Sequence, residues 1–391
     1  MAGIINIKEL FTPNISNNLV SKTKGDRVIW GIVIILTLIS LLVVYSSTGS
    51  LAYKYSKSTE SYLFKQFAFI ILGILLIYFA HRVNYTIYAR VAKILFLISI
   101  PLMIYTLMFG SRLNSANRWI TLPVINMTMQ TSDLAKLALI MYTARTLSKK
   151  QQIIKDFDKA FIPLILPIIV VCLLIVPANL STAAVLFATC LILMFIGRVS
   201  LKHISLTVAC GIAAFLVFIG IATLTSFKTR LDTWISRVEK FTERDKEVDY
   251  QTSNAFVAIA NGGLIRLAPG KSIQRNFLPQ PYSDYIYAII IEEYGLLGGI
   301  IVLSLYLWFL YRCILIFIKS PGAFGALLAV GLSLSLVIQA IMNMSVTVGL
   351  LPVTGLPLPL VSMGGTSLLF TSFAIGIILS ISRQIETQKE L

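Results

Sequence analysis

Residues 278–298 read LPQPYSDYIYAIIIEEYGLLG. The stretch opens with Pro279 and Pro281 and turns at Ser283 and Asp284 into an apolar run that lasts to about Phe317. Prolines, then Ser or Asp, then apolar residues mark a helix N-terminus. This reading places Asp284 at the mouth of a membrane helix, beside the positive end of the helix dipole, either as a mere N-cap or as a functional acid. Glu292 and Glu293 follow, roughly 12 Å deeper at 1.5 Å per residue. Carboxylates in a membrane helix are costly and mark a functional site by default. At 100° per residue the two glutamates point about 80° and 180° away from Asp284, so at least one of them is expected to be structural.

The rest of the chain agrees with a membrane setting. Of 391 residues, 57% are hydrophobic and 13% charged, and the mean hydropathy is +0.84. Together these exclude an ordinary soluble globule. The net charge of +16 is spread over short segments between apolar runs rather than gathered on a soluble domain, which argues against a nucleic-acid partner. Cys172, Cys190, Cys210 and Cys313 all fall in apolar stretches with no metal or redox spacing, and read as small buried hydrophobes. His81 and His203 are isolated and read as interfacial rather than ligating.

About 20 residues cross a hydrocarbon core of roughly 30 Å. Ten segments qualify, near 28–48, 62–81, 91–110, 131–147, 160–177, 180–198, 203–226, 284–318, 322–349 and 366–384. The fold class is therefore all-α: a polytopic domain over 28–384, a polar tail at 1–27, a tail at 385–391, and one large loop at 227–283. The tail at 1–27 with its long first helix reads as an uncleaved start rather than a signal peptide. Short loops holding Arg82, Arg90, Lys93, Arg145, Lys149, Lys150, Arg198, Lys202, Arg312 and Lys319 alternate with loops holding only Lys54, Lys57, Arg112 and Arg118. That asymmetry predicts both termini in the cytoplasm. The loop at 227–283 is then outside; its nine basic residues are offset by six acids, and long loops largely escape the rule. Within it, AFVAIA at 255–260 predicts a short helix at the membrane surface.

The unusual polar residues gather on the predicted outer face. RWI at 118–120 precedes QTSDLAK at 130–136, where Asp133 and Lys136 stand at i, i+3 and can pair on one helix face. That pair either neutralises itself for insertion or, with Arg118, supplies positive charge for a phosphate or diphosphate. Residues 351–368, LPVTGLPLPLVSMGGTSL, hold three prolines and three glycines and cannot form a regular helix. Irregular backbone at membrane depth must be buried in protein or line a cavity. This segment is either a tight re-entrant turn with no ligand or a cradle whose amides near Gly364 and Gly365 take an anion. Gln339 and Asn343, at i, i+4, either pack or bond across helices. No nucleotide-binding, zinc-peptidase or nucleophile-elbow motif is present in the sequence.

On these motifs the chain resembles the SEDS family (shape, elongation, division and sporulation), from about residue 25 to 383. The specific matches are 351–368, GKSIQ at 270–274 with DYIYA at 284–288 and EEYG at 292–295, RWI at 118–120 and SDLAK at 132–136. The wording at 351–359 and the ending SISR at 380–383 are closer to the division branch than to the elongation branch. There are departures: Thr131 stands for a common Pro, Asp133 for Glu, Asn179 near a common Asp, and Met363 for Tyr.

The resemblance implies ten helices and a peptidoglycan glycosyltransferase that uses lipid II, a disaccharide-pentapeptide on undecaprenyl diphosphate. It implies Asp284 as the essential acid, acting as a base. It also implies Lys136, Arg118, Asp133, Lys271, Ser272, Gln274, Ser362, Gly364 and Gly365 as substrate contacts, with a divalent cation (Mg or Mn) as an optional helper. The implied partners are a single-pass class B penicillin-binding protein, contacted through the charged half of the outer loop, and other divisome proteins at the septum. Two other classes stay open: a lipid II flippase, with charged groups spread through the depth of the bilayer, and a non-catalytic divisome scaffold.

Overall fold

The apolar run after Asp284 does not build one uninterrupted helix. In this computed structural model, which describes residues 25–49, 58–113, 116–122, 127–224, 237, 241–242, 250–278 and 280–389, the helix spans Ile286–Lys319 with a break at Gly295 (φ 72°, ψ −179°). Only glycine occupies that conformation without strain. A loop from 263–268 fills the break: Leu296 N donates to Gly263 O at 2.9 Å and Ala268 N to Glu293 O at 2.9 Å. Asp284 is not the cap. Tyr285 holds that position without a side-chain cap hydrogen bond, so the carboxylate of Asp284 is not spent on capping α9. The basic residues of the tail up to Lys24, the loop lysines Lys54 and Lys57, Pro279 and nearly all of the charged half of the large loop lie outside the described residues.

The helices are numbered here in chain order: α1 (Arg27–Ser47), α2 (Thr59–Arg82), α3 (Tyr85–Phe109), α4 (Thr131–Lys149), α5 (Ile162–Ile175), α6 (Leu180–Ile196), α7 (Leu201–Leu224), α8 (Tyr250–Gly262), α9 (Ile286–Lys319), α10 (Ala323–Thr347) and α11 (Thr366–Lys389). Each of the ten expected membrane segments carries a helix among the described residues, and α8 is the short helix expected near 255–260. Among the described residues seven helices are long and apolar enough to span a bilayer; α6 and the described apolar part of α7 are shorter, and α4 is more polar. The protein is thus a multi-pass, all-α membrane protein.

α10 is the central post, with 72% of its apolar window buried, against 28% in α2 and α3. Small residues set the closest approach elsewhere. A Cβ on Gly73 of α2 would meet Ser372 Oγ of α11 at 2.6 Å, and one on Gly376 of α11 would meet Ala80 of α2 at 2.6 Å. Glycine lets the two backbones touch, as membrane helices without a hydrophobic driving force require.

The two ends of the bundle differ. At the end carrying the termini, Asp26 caps α1 by accepting from Val28 N at 2.9 Å and pairs with Arg312 of α9 at 2.5 Å. Gly25 N donates to Glu386 of α11 at 2.7 Å, so three helix ends are tied together. The opposite end carries a feature that the all-α reading missed, an antiparallel sheet of β1 (Ser111–Leu113), β2 (Ala116–Leu122) and β3 (Met127–Gln130) in the order β1-β2-β3. Trp119 pairs with Gln130 and Ile120 with Met129. β3 runs straight into α4 at Thr131.

Two of the smaller expectations need correction. Cys172, Cys190 and Cys313 are buried, but Cys210 is exposed on α7. His81 is buried rather than interfacial, edge-on to Trp30.

Candidate active site

The part of the 351–368 segment that precedes α11, residues 351–365, enters the bundle at the sheet end as irregular backbone and is held by side chains. Gln339 Nε2 donates to Pro357 O at 2.9 Å, Asn343 Nδ2 to Leu356 O at 2.7 Å, and Tyr306 OH to Pro359 O. Its carbonyls are thereby satisfied in the absence of a helical ladder. Ser362 ties this segment to the turn bearing Asp284: its Oγ accepts from Leu358 N at 2.8 Å and donates to Ser283 O at 2.7 Å. Met363 N donates to Tyr282 O at 3.0 Å.

Between this segment, the sheet, α2 and α4–α7 lies a cavity of about 1930 Å³, larger than the few hundred to roughly 1,000 Å³ of an ordinary small-molecule pocket. Its polar end is lined by four cations, Lys65, Arg118, Lys136 and Arg237, and by two carboxylates, Asp133 and Asp284. The remainder is an apolar arm along α5–α7, including Ile165, Ile169, Leu173, Phe187 and Leu206. Among the described lining residues the charge thus lies at the sheet end, and the excess there is positive.

Each charged group is placed by its element. Arg118 comes from β2, and its Nε donates to Ala178 O at 2.7 Å in the turn between α5 and α6. Lys136 stands on α4 with Nζ 2.8 Å from Asp133 Oδ1 and donates to Gln339 Oε1 at 3.3 Å, so the i, i+3 pair forms as expected. Arg237 Nη1 donates to Val353 O at 3.1 Å. Asp284 is partly exposed to the cavity. Ser283 Oγ donates to its Oδ1 at 3.0 Å, and Gly355 (φ +65°) lies so close that an added Cβ would be 3.7 Å from its Oδ2. Burial pushes the Asp284 carboxyl up from its ordinary value, against the lowering pull of Ser283, Arg118 and Arg237.

Of the residues assigned to substrate from the sequence, Arg118, Asp133, Lys136, Gly364 and Gly365 line the cavity with Asp284. Lys271, Ser272, Gln274 and Ser362 do not. Ser272 Oγ donates to Glu292, and Ile273 N and Gln274 N donate to Glu292 Oε1 at 3.0 and 3.3 Å. Glu293 accepts from Ser46 Oγ and from Ser272 N at 3.3 Å. Both glutamates are therefore structural, Ser272 and Gln274 are buried partners of that clamp, Lys271 is exposed beside it, and Ser362 is the clasp described above. Lys65 and Arg237 also line the cavity, and the sequence reading did not single them out. Asn179 also lines it, while its side chain caps α6 by accepting from Thr182 N at 3.3 Å. Among the described residues no three His, Cys, Asp or Glu side chains group to hold a metal ion.

A helical membrane bundle with a re-entrant segment and a cation-rich cavity, in which one acid has no ion-pair partner at hydrogen-bond distance among the described residues, defines a polytopic membrane protein with excess positive charge at one end of a large cavity. The profile of the FtsW/RodA/SpoVE cell cycle protein family matches residues 26–387, and the chain belongs to that family. It is 31% identical over 376 residues to stage V sporulation protein E of Bacillus subtilis, covering 93% of this chain and 98% of that protein. It is likewise 31% identical to a probable peptidoglycan glycosyltransferase FtsW of Geobacter metallireducens, covering 95% and 98%. Among solved structures, a chain of a peptidoglycan synthase complex that coordinates polymerization and crosslinking superposes with a TM-score of 0.72 at 24% identity, covering 92% of this chain and 98% of that one. The rod shape determining protein RodA of Thermus thermophilus gives 0.64 at 24% identity, covering 92% and 97%. At these identities the two structures speak for the fold.

Proposed function

We propose that this chain is a peptidoglycan glycosyltransferase that polymerises lipid II into glycan strands at the outer face of the cytoplasmic membrane during cell division. The observation that carries the reading is Asp284, a partly buried carboxylate with no ion-pair partner at hydrogen-bond distance among the described residues, facing a cavity lined by Lys65, Arg118, Lys136 and Arg237. In the reaction an acceptor sugar 4-hydroxyl forms a bond to the anomeric carbon of the donor. The bond from that carbon to the lipid diphosphate breaks, and the diphosphate leaves with the electron pair. The hydroxyl proton passes to Asp284, whose raised pKa suits a base. Lys136 and Arg118 neutralise the departing diphosphate, and the apolar arm along α5–α7 accepts polyprenyl chain. Inversion follows from a single displacement.

The orientation with both termini in the cytoplasm rests on the asymmetry of Lys and Arg, and it puts the sheet, the cavity mouth and Asp284 outside. A class B penicillin-binding protein is the partner proposed for crosslinking, with other divisome proteins at the septum. The confinement of charge to one end of the cavity favours surface chemistry over a flippase path, which needs polar groups through the full depth.

The test is purified protein in liposomes with labelled lipid II, read as polymer length. Wild-type protein is expected to make glycan strands, and Asp284→Asn to make none while inserting normally. Strands from Asp284→Asn at the wild-type rate would remove Asp284 from the mechanism.

A further inference from the structure

The re-entrant segment and the turn bearing Asp284 have no regular secondary structure, yet the chemistry needs Asp284 and Lys136 fixed relative to one another. The constraint comes from one face of α10. Asn343 is buried, and its Nδ2 donates to the backbone carbonyl of Asp284 at 2.8 Å and to Leu356 O at 2.7 Å. Both neighbours are carbonyl oxygens, so only the amide NH2 fits there. One turn earlier Gln339 accepts from Lys136 Nζ at 3.3 Å through Oε1 and donates to Pro357 O at 2.9 Å through Nε2. Its two partners likewise fix which atom points where. Gln339 lines the cavity and Asn343 does not.

We infer that Asn343 is a positioning residue for the transfer reaction, holding the backbone of Asp284 and the re-entrant segment to α10, and that Gln339 holds Lys136 to the same helix face. The two side chains make base and cation parts of one frame referenced to α10. The inference rests on the proposed role of Asp284 as the base. It predicts that loss of the Asn343 donors moves Asp284 without touching substrate. A displacement of about 1 Å costs on the order of 100-fold in rate.

The experiment compares Asn343→Asp, which keeps the shape and loses both donors, with Asn343→Ala, Gln339→Met and Asp284→Glu, in liposomes with labelled lipid II. Binding stoichiometry of a fluorescent lipid II analogue counts competent sites, so rates are per folded molecule. The expected result is a kcat about 100-fold lower in both Asn343 variants, substrate affinity within about threefold of wild type, and a displaced acid limb of the pH–rate profile. Asn343→Asp combined with Asp284→Glu should lose less than the product of the two single losses, because both disturb one frame. Gln339→Met should instead weaken substrate binding through Lys136. A role in folding alone predicts fewer competent sites, each with wild-type kcat and the wild-type acid limb, and that outcome overturns the inference while leaving Asp284 in place. If Asp284→Asn itself remains fully active, the underlying reading fails with it.

Discussion

Asp284 and Glu292 are carboxylates eight residues apart on either side of one helix start, and they are treated in opposite ways. Glu292 is almost fully buried and accepts from Ser272 Oγ, Ile273 N and Gln274 N. Asp284 has the hydroxyl of its neighbour Ser283 at 3.0 Å, and its other oxygen lies against Gly355 in a cavity of cations. A carboxylate saturated by amide and hydroxyl donors holds structure together. One held by its backbone, with acceptor capacity left over, is available to a proton. In a low-dielectric setting burial raises the cost of the charge, and the number of donors each acid has decides how much of that cost is offset.

The strongest way to break this comparison is at Asp284. Asp284→Asn should lower kcat by at least about 10²–10⁴-fold, the usual contribution of a general base. It should leave the melting temperature unchanged or higher. The sign follows from burial: the folded state raises the carboxyl pKa, so its contribution to stability is present at low pH and is lost as pH rises through the folded value. At neutral pH the ionised group is a cost, which the amide removes. The same shift moves the acid limb of the wild-type rate profile above that of a solvent-exposed aspartate, because the base must be deprotonated to act. A pH–rate profile beside thermal melts of both proteins checks all three.

Next in size is Lys136. Lys136→Met should cost about 10²–10³-fold in kcat if the ammonium stabilises the departing diphosphate, but it also strands Asp133, which is 6% exposed. Pairing it with Asp133→Asn restores neutrality and so separates the two effects. Recovered expression with persistent loss of polymer would assign Lys136 to chemistry; recovered polymer would make the pair an insertion device.

Much of this was legible in the sequence because the bilayer makes polar residues conspicuous. Asp133 and Lys136 stood out at helical spacing in an apolar run, and the three prolines of 351–368 forbade a helix at membrane depth. The sheet at 111–130 was hidden because its strands run three to seven residues, too short for a period to show. Arg237 was one basic residue in a mixed-charge run, and its place at Val353 is set by tertiary folding. Lys65 sits inside the second apolar segment, and that alone was a signal, since a cation there must find a polar cavity or snorkel. Ser272 and Gln274 misled because their block precedes Asp284 in sequence, whereas the chain returns them to Glu292. The break at Gly295 gave no warning, because glycine is common in membrane helices.

The smaller predictions concern that clamp. Gly295→Ala would force a side chain into a glycine-only conformation, costing about 1–3 kcal/mol, and set its Cβ 2.7 Å from Leu264 O. The loop would have to leave the break, so melting temperature should fall clearly. Glu292→Gln is milder. It keeps the shape but turns one of the two acceptors into a donor facing Ser272 or the amides of Ile273 and Gln274, a loss of about 1–3 kcal/mol. If Glu292 is scaffold, the folded fraction drops while polymer made per folded molecule stays within about threefold of wild type. A rate per folded molecule that collapsed as it does for Asp284→Asn would erase the distinction between the two acids, and the chemistry would have to be shared along α9.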